Sequence, residues 1–345
     1  MTFIDRYDII IRLKPFERVY IMAHEIYTNE ETGLAEVAWA GDKPWHGLGQ
    51  ELQHGASIED WAKAAQMEWE VLGSPVKYQT DSGVKVYTGQ QVLYRSDSKK
   101  PLSVVSDEFR VVQPLEVLEF FRDLTQIHGM ELEVAGCLFN GKRFWATATS
   151  GRTAEILPND EVNAYLVLMT GVDGTLATSA KFVATRVVCN NTLRIAINEK
   201  GGREARRTHR QTFDPKAVKI DLGLLDASWD KYISDMKSLT KVKMNDDKAF
   251  EFFKELLITP KDEKFDDGMS RATKTAVDEL MYRLRNGLGA DSGRGTAWNV
   301  LNAVTEKYTH GTQRRDQNRQ FVNSIYGTDA AMKDKAVDRL LALAA

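Results

Sequence analysis

Alternating hydrophobic and polar residues predict a first group of β-strands between about residues 76 and 112. Turns are predicted where glycines and short polar runs interrupt the alternation, at Gly83, Gly89, 96–100 and 106–107. The predicted strands are Val84–Tyr87, Gln91–Tyr94, Leu102–Val105 and Phe109–Val112. Apolar residues then recur at helical spacing from Leu115 to Leu124, directly after Pro114, and predict one packed helix. The order is therefore three or four strands followed by a helix.

Two turn dipeptides indicate a second group of strands. Asn140-Gly141 is the strongest short hairpin signal in the chain, because both residue types accept the positive φ angles of tight hairpin turns. Asp173-Gly174 lies between two apolar segments in the same way. The segments that flank these turns are the predicted strands Leu132–Phe139, Arg143–Ser150, Asn163–Thr170 and Leu176–Val183. The pattern predicts antiparallel pairing across each turn.

After Lys200 the apolar residues recur at helical spacing to the end of the chain. The predicted helices are Pro215–Leu239, Asp246–Leu257, Ser270–Arg285, Thr296–Tyr308 and Ala330–Ala345. One further helix is predicted before the strands, starting at Ser57, whose hydroxyl can cap it together with Asp60 three residues later.

Together these elements predict an α+β fold. An antiparallel sheet with packed helices, containing a strand-strand-strand-helix core, precedes a helical C-terminal part. The expected organisation is an α+β core domain over residues 23–200 and a helical region over residues 201–345. Residues 1–22, which precede the more conventional start at Met22-Ala23-His24, are expected to be a non-native or disordered extension.

The composition limits the classes of function. With 43% hydrophobic and 28% charged residues, the 345-residue chain can build real cores and is not disordered as a whole. A net charge of -3 gives no global attraction for nucleic acid, so a polyanion would need local basic patches. The two cysteines, Cys137 and Cys189, make a disulfide framework implausible, and reduced thiols are expected. No segment has the length and apolarity of a membrane span, so no membrane association is expected.

Candidate catalytic and metal-binding chemistry is sparse. The six histidines lie far apart and no pair has ligand spacing, so neither a metal site nor a cofactor is predicted. Cys189 precedes a possible helix start, where a thiol pKa can fall, but a buried small hydrophobe is the commoner role for such a cysteine. A hydrolase or nuclease built on Asp173, Cys189 or His46 is a third hypothesis, and we expect a binding protein rather than an enzyme, with no catalytic residue.

A glycine-rich segment and a basic segment are candidates for contact with a polyanion. Residues 285–296 are rich in glycine and precede a predicted helix, but lack the Lys-Ser/Thr pair of a nucleotide-binding P-loop. They are as well explained by a flexible connection between helices. The densest positive run lies between Lys200 and Arg210, and aromatic residues occur near the other cations. Basic grooves lined with aromatic residues hold single-stranded nucleic acid without reading its sequence.

A polar junction between Asp173 and Leu193 adds to this picture, because arginine, asparagine and threonine are crowded among apolar residues there. It is either a hydrogen-bonded connection or a binding surface, and spacing alone favours the connection. The candidate nucleic-acid-binding residues are Lys142, Arg143, Lys181, Arg186, Asn190, Asn191, Arg194, Arg203, Arg206, Arg207 and Arg210.

Three motifs resemble a known family. PWHGLG at Pro44–Gly49, DGT…RVVCNNTL at Asp173–Leu193 and GTAWNVLNAVTEKYTH at Gly295–His310 are together similar to the phage- and plasmid-related family called domain of unknown function 932. The resemblance covers nearly everything after Met22. It implies residence on a mobile element and carries over no catalytic role.

The strand-strand-strand-helix order that ends near Ile127 also looks like the core of single-strand annealing proteins such as RecT/Redβ-type recombinases. This resemblance implies a phage or plasmid DNA-metabolism protein that binds and anneals single-stranded DNA. Such a protein would form a homo-oligomer, need no cofactor and act in the cytoplasm of the bacterial host. The alternative is a non-enzymatic phage accessory protein that binds a host protein, in an anti-defence or regulatory role.

Overall fold

The computed structural model describes residues 26, 28–29, 32–41, 48–186, 191–195, 204–222, 225–266, 268–311 and 317–344 of the chain. Over these residues the fold is α+β, with antiparallel strands, packed helices and a helical C-terminal part, as the sequence predicts. The predicted extension over residues 1–22 lies outside the described residues, as do Trp45, His46 and Cys189.

The strands form two sheets within the described residues. They are β1 (Val37–Ala40), β2 (Gln50–Leu52), β3 (Val71–Thr80), β4 (Gly83–Arg95), β5 (Pro101–Ser106), β6 (Glu131–Leu138), β7 (Arg143–Leu157), β8 (Asp160–Gly171), β9 (Thr178–Arg186), β10 (Asn191–Arg194) and β11 (Ala205–Arg207). The large sheet has the order β10-β9-β8-β7-β6-β1-β2, and β11 pairs with β9. The small sheet has the order β3-β4-β5. All pairs are antiparallel except β1 with β2.

Both predicted hairpins are present. The Asn140-Gly141 turn joins β6 to β7, and both residues have positive φ angles, 59° and 83°. The Asp173-Gly174 turn lies between β8 and β9, which pair from Val162–Arg186 to Met169–Ser179. Strand β7 continues seven residues beyond the predicted end at Ser150, and a further hairpin, missed from the sequence, joins it to β8.

Two predictions in the small sheet are wrong. Gly89 is not a turn between strands but part of a bulge within β4, because Pro75 pairs with Gln91 and Val76 with Tyr87. Phe109–Val112 is not a strand. Its backbone bonds to another segment instead: the Arg110 N–H donates to the carbonyl of His209 at 2.7 Å.

The helices follow the predicted order with local differences. They are α1 (Ile58–Ala64), α2 (Pro114–His128), α3 (Pro215–Leu222), α4 (Leu225–Leu239), α5 (Asp246–Leu257), α6 (Arg271–Asn286), α7 (Ala297–Glu306), α8 (Gln317–Tyr326) and α9 (Thr328–Ala342). Ser57 and Asp60 cap α1 reciprocally, as predicted. Within the predicted helix Pro215–Leu239 the described residues form α3 and α4, and residues 223–224 between them lie outside the described part of the chain. Helix α7 ends earlier than predicted and runs into a π-helical turn at Lys307–Gly311, and α8 was not predicted.

Both faces of the large sheet are covered. On one face, Phe144 of β7 and Phe182 of β9 belong to a core shared with α2 and the C-terminal helices. On the other face, Val167 and Val183 pack against Ile325 of α8. Since this core joins residues on both sides of position 200, the sheet and the C-terminal helices pack as one body. Among the described residues, no helix combines the length and the apolarity needed to cross a membrane.

Candidate nucleic-acid interface

Three loops meet at one end of the large sheet. They are the loop from β6 to β7, the loop from β8 to β9 and the loop after β11. The Val172 N–H donates to the carbonyl of Lys142 at 2.9 Å and ties the first two loops together. Next to it, the Arg143 guanidinium donates to the Thr175 hydroxyl at 2.9 Å and lies 4.8 Å from the centre of the Phe139 ring. Asp173 lies 3.6 Å from the same guanidinium and offsets part of its charge.

His209 brings the third loop to this end. Its ring nitrogens lie 3.0 Å from the carbonyl oxygens of Leu176 and Arg110, which belong to different segments. The ring also stacks on Phe109, with centroids 4.3 Å apart and planes inclined by 17°. The imidazole therefore connects the segment after β5, the loop before β9 and the loop after β11.

Cations distant in sequence lie on three of the connected segments: the segment after β5, the turn between β6 and β7, and β11 with the loop that follows it. Strand β11 places Arg206 and Arg207 opposite Ser179 and Thr178, the first residues of β9. We call these cations the basic end; its members are Arg110, Lys142, Arg143, Arg206, Arg207 and Arg210. Arg110, Arg206 and Arg210 are exposed, whereas the other three are half-buried. Five of the six were predicted from the sequence, and Arg110 was not.

A two-stranded arm projects beside the basic end. Strand β5 pairs with β4 only from Gln90 to Tyr94, whereas the β3–β4 hairpin continues beyond it. We call residues 76–87 of this hairpin the arm. At its base the Asp107 N–H donates to the carbonyl of Gly89, and two residues later Phe109 stacks on His209 of the basic end.

The arm exposes large side chains on both faces. Tyr78 is 47% exposed and Tyr87 51%, while Val84 and Val86 are 64% and 54% exposed. Lys77 and Lys85 are also exposed. The alternation of hydrophobic and polar residues predicts these strands from the sequence. It does not reveal that both faces of the arm are left exposed by the rest of the protein.

Lys181 occupies a different environment from the one expected. Its side chain is completely buried, with the ammonium 2.8 Å from Glu204 and donating to the carbonyl of Ile325 at 3.1 Å. Desolvation, with the nearby Arg194 as a second cause, lowers the pKa of Lys181 to about 8. This burial does not fit the predicted contact with phosphate, and Lys181 is left out of the candidate interface.

The remaining predicted residues do not add to the basic end. Arg194 lies on β10, outside the connected loops, and is ion-paired with Asp334 of α9. The backbones of Arg186 and Asn191 pair with each other where β9 meets β10. Asn190, Arg203 and the side chains of Arg186 and Asn191 lie outside the described part of the structure. Over the described residues, no group of three or more histidine, cysteine, aspartate or glutamate side chains could hold a metal ion.

Comparison with known proteins identifies one family. The family whose sequence model matches the chain is described as Domain of unknown function (DUF932), and the match covers residues 101–330. No curated protein and no solved structure matches. The matched segment contains the whole basic end, whereas the arm precedes it.

Proposed function

The chain belongs to the domain of unknown function (DUF932) family, and on that premise we propose that it is a non-enzymatic DNA-metabolism protein of a phage or plasmid. It binds and anneals single-stranded DNA in the cytoplasm of the bacterial host. The observation that carries the proposal is the basic end: six cations lie on three separate segments that contacts with the β8–β9 loop hold at one end of the large sheet, on a chain whose net charge is -3. A local concentration of arginine provides a site for phosphate on a chain whose net charge gives no global attraction for it.

Annealing requires that the protein hold the backbone and leave the base edges free to find a complement. Arginines on loops and at a strand edge suit this task, because they reach phosphate oxygens as charged donors and read no sequence. A homo-oligomer would align several basic ends along one strand. We therefore propose that the active form contains more than one copy of the chain.

The first test measures binding and its dependence on salt. Labelled single- and double-stranded oligonucleotides are titrated with protein by fluorescence anisotropy over a series of salt concentrations. We expect tight binding that prefers the single strand and weakens steeply with salt. Absence of binding at low salt would refute the proposal.

A double variant that reverses two charges tests whether the basic end binds the DNA. Arg206→Glu combined with Arg207→Glu should weaken binding and flatten the salt dependence by about 1.4 in slope, since each neutralised phosphate of a single strand contributes about 0.7. The control is Lys261→Glu combined with Lys264→Glu, which makes the same charge change at exposed lysines before α6. Equal losses in the two double variants would show that only net charge matters and would exclude the basic end as the site.

A second candidate function is binding of a host protein by a phage accessory protein. The observation that favours it is the exposure of Val84 and Val86, two aliphatic residues on one face of the arm. This candidate would lead if neither single- nor double-stranded DNA binds at low salt.

A further inference from the structure

We infer that the arm is a stacking platform for unpaired bases, so that the chain contacts the phosphates of a single strand at the basic end and its bases at the arm. This inference rests on the proposed function and adds to it a second site with different chemistry. The arm lies outside the segment matched to the family, so the match assigns it no role.

The register of the hairpin sorts the exposed residues of the arm by face. Residues directly opposite each other in an antiparallel pair point to the same face. Val76 is opposite Tyr87, and Tyr78 is opposite Lys85, so both tyrosines share a face with one lysine. We call this the tyrosine face. The two rings occupy diagonal positions, which lie roughly 7–8 Å apart and within reach of neighbouring aromatic side chains.

The opposite face has different chemistry. Lys77 is opposite Val86, and Gln79 is opposite Val84, so this face carries two aliphatic residues and no aromatic ring. A base stacks on the π-face of a tyrosine but gains no comparable contact from valine. The two faces of one hairpin therefore provide a test surface and a matched control surface.

Charge and position favour a nucleic acid over other occupants of the tyrosine face. The charged residues of the arm are Lys77, Asp81 and Lys85, which leave it with a net positive charge. Lys85 lies on the same face as the rings and can contact the phosphate next to a stacked base. The base of the arm is also continuous with the basic end through Phe109 and His209. A strand that follows the arginines would therefore reach the tyrosines.

The test separates the base-dependent part of binding from the phosphate-dependent part. Affinities are measured for a labelled oligothymidylate and for an abasic oligomer of equal length, which has the phosphates but no bases. The variants are Tyr78→Ala with Tyr87→Ala, the conservative pair Tyr78→Phe with Tyr87→Phe, and the control pair Val84→Ala with Val86→Ala. Far-UV circular dichroism and the urea midpoint verify that each variant is folded.

We expect the unsubstituted chain to bind oligothymidylate more tightly than the abasic oligomer. The alanine pair at the tyrosines should bind oligothymidylate about tenfold or more weakly, since stacking on one aromatic side chain commonly contributes that factor or more. Its affinity for the abasic oligomer should stay unchanged. The phenylalanine pair should keep the preference, because the ring is retained, and the valine control should behave as the unsubstituted chain.

Several outcomes would overturn the inference. Equal affinity of the unsubstituted chain for both probes would show that bases do not contribute, while leaving the proposed function intact. An equal loss in the tyrosine and valine pairs would show that the tyrosine face is not specific. A tyrosine pair that changes sedimentation but not base-dependent affinity would make the arm a contact between copies. Failure of the unsubstituted chain to bind either probe would refute the proposed function as well.

Discussion

Two lysines, Lys181 of β9 and Lys333 of α9, are fully buried. The Lys333 ammonium donates to the Thr309 hydroxyl at 3.2 Å. Desolvation is the largest cause of the pKa shift at both, and it lowers the pKa of Lys333 to about 7. Burial of a cation disfavours its charged form. Both residues therefore link the stability of the fold to pH.

The sign of this linkage gives a prediction for Lys333. Below about pH 7 the lysine is protonated in both folded and unfolded chains, and the folded chain bears the desolvation cost. As pH rises above about 7, the folded chain loses the proton first, so the unfolded chain binds more protons and the free energy of unfolding increases. The contribution of one such group is at most about 1.4 kcal/mol per pH unit.

Lys333→Met should remove this contribution, so that the free energy of unfolding rises less steeply between about pH 7 and pH 8. Urea titrations at the two pH values measure the slope. Lys248→Met, at an exposed lysine of α5, is the control for removal of one positive charge. A slope in Lys333→Met equal to that of the unsubstituted chain would contradict the assignment.

At the scale of single residues, the sequence predicts which charged groups are present better than it predicts whether each one is exposed or buried. Arg206 and Arg210 are exposed, in accord with a charged run that contains glycines. Lys181 lies between Ala180 and Phe182 in the same strand. From the alternation of a strand alone, the lysine would be expected on the exposed face. Its burial depends on α8, which lies about 140 residues later and was not predicted.

At the scale of elements, turn residues determine where the chain forms hairpins. The turn at Gly141 also packs against side chains that belong to or adjoin the small sheet. A Cβ added to Gly141 would lie 2.8 Å from Arg95 Nη1 and 2.9 Å from Trp69 Cζ2. Arg95 is itself buried, with a guanidinium that donates to Glu36 at 3.0 Å and lies 3.8 Å from the centre of the Trp69 ring. The hairpin between β6 and β7 is thus packed against the start of β3 and the end of β4.

Gly141→Ala should therefore be much more destabilising than the same substitution at Gly151. Both glycines have positive φ angles, but Gly151 has nothing within 4 Å of an added Cβ. We expect about 1–2 kcal/mol for Gly151→Ala, from backbone strain alone. Gly141→Ala adds the cost of overpacking, about 1–3 kcal/mol. The difference between the two urea midpoints checks this, and equal midpoints would show that the buried cluster relaxes freely.

Elements with a local signal were predictable, and elements defined by long-range pairing were not. Asn140-Gly141 and the Ser57 cap act over a few residues, and both are where the sequence placed them. The Gly89 bulge lies beside the point where β5 stops pairing with β4, at Gln90, and the segment from Phe109 contacts His209, about 100 residues away. Period-two alternation contains no information on either event.

At the scale of the whole molecule, the sheet and the C-terminal helices share buried polar contacts as well as one core. The Trp298 Nε1–H donates to Asp160 at 2.8 Å, and the Tyr326 hydroxyl donates to the carbonyl of Ser179 at 3.1 Å. Arg194 of β10 is ion-paired with Asp334 of α9. The expected boundary at residue 200 therefore separates two parts that cover each other's apolar surface.

A fragment of residues 23–200 should consequently fail to unfold cooperatively in urea, whereas the full chain should show one transition. Without the helices, Phe182 and Ala184 lose part of their cover on one face of the sheet, and Val183 loses Ile325 on the other. Exposure of apolar surface at about 25 cal/mol per Å² soon exceeds the marginal stability of a domain. Circular dichroism and fluorescence, followed together, measure whether the transitions coincide. Two separate transitions in the full chain, the first reproduced by the fragment, would instead establish two independent domains and place the basic end across their junction.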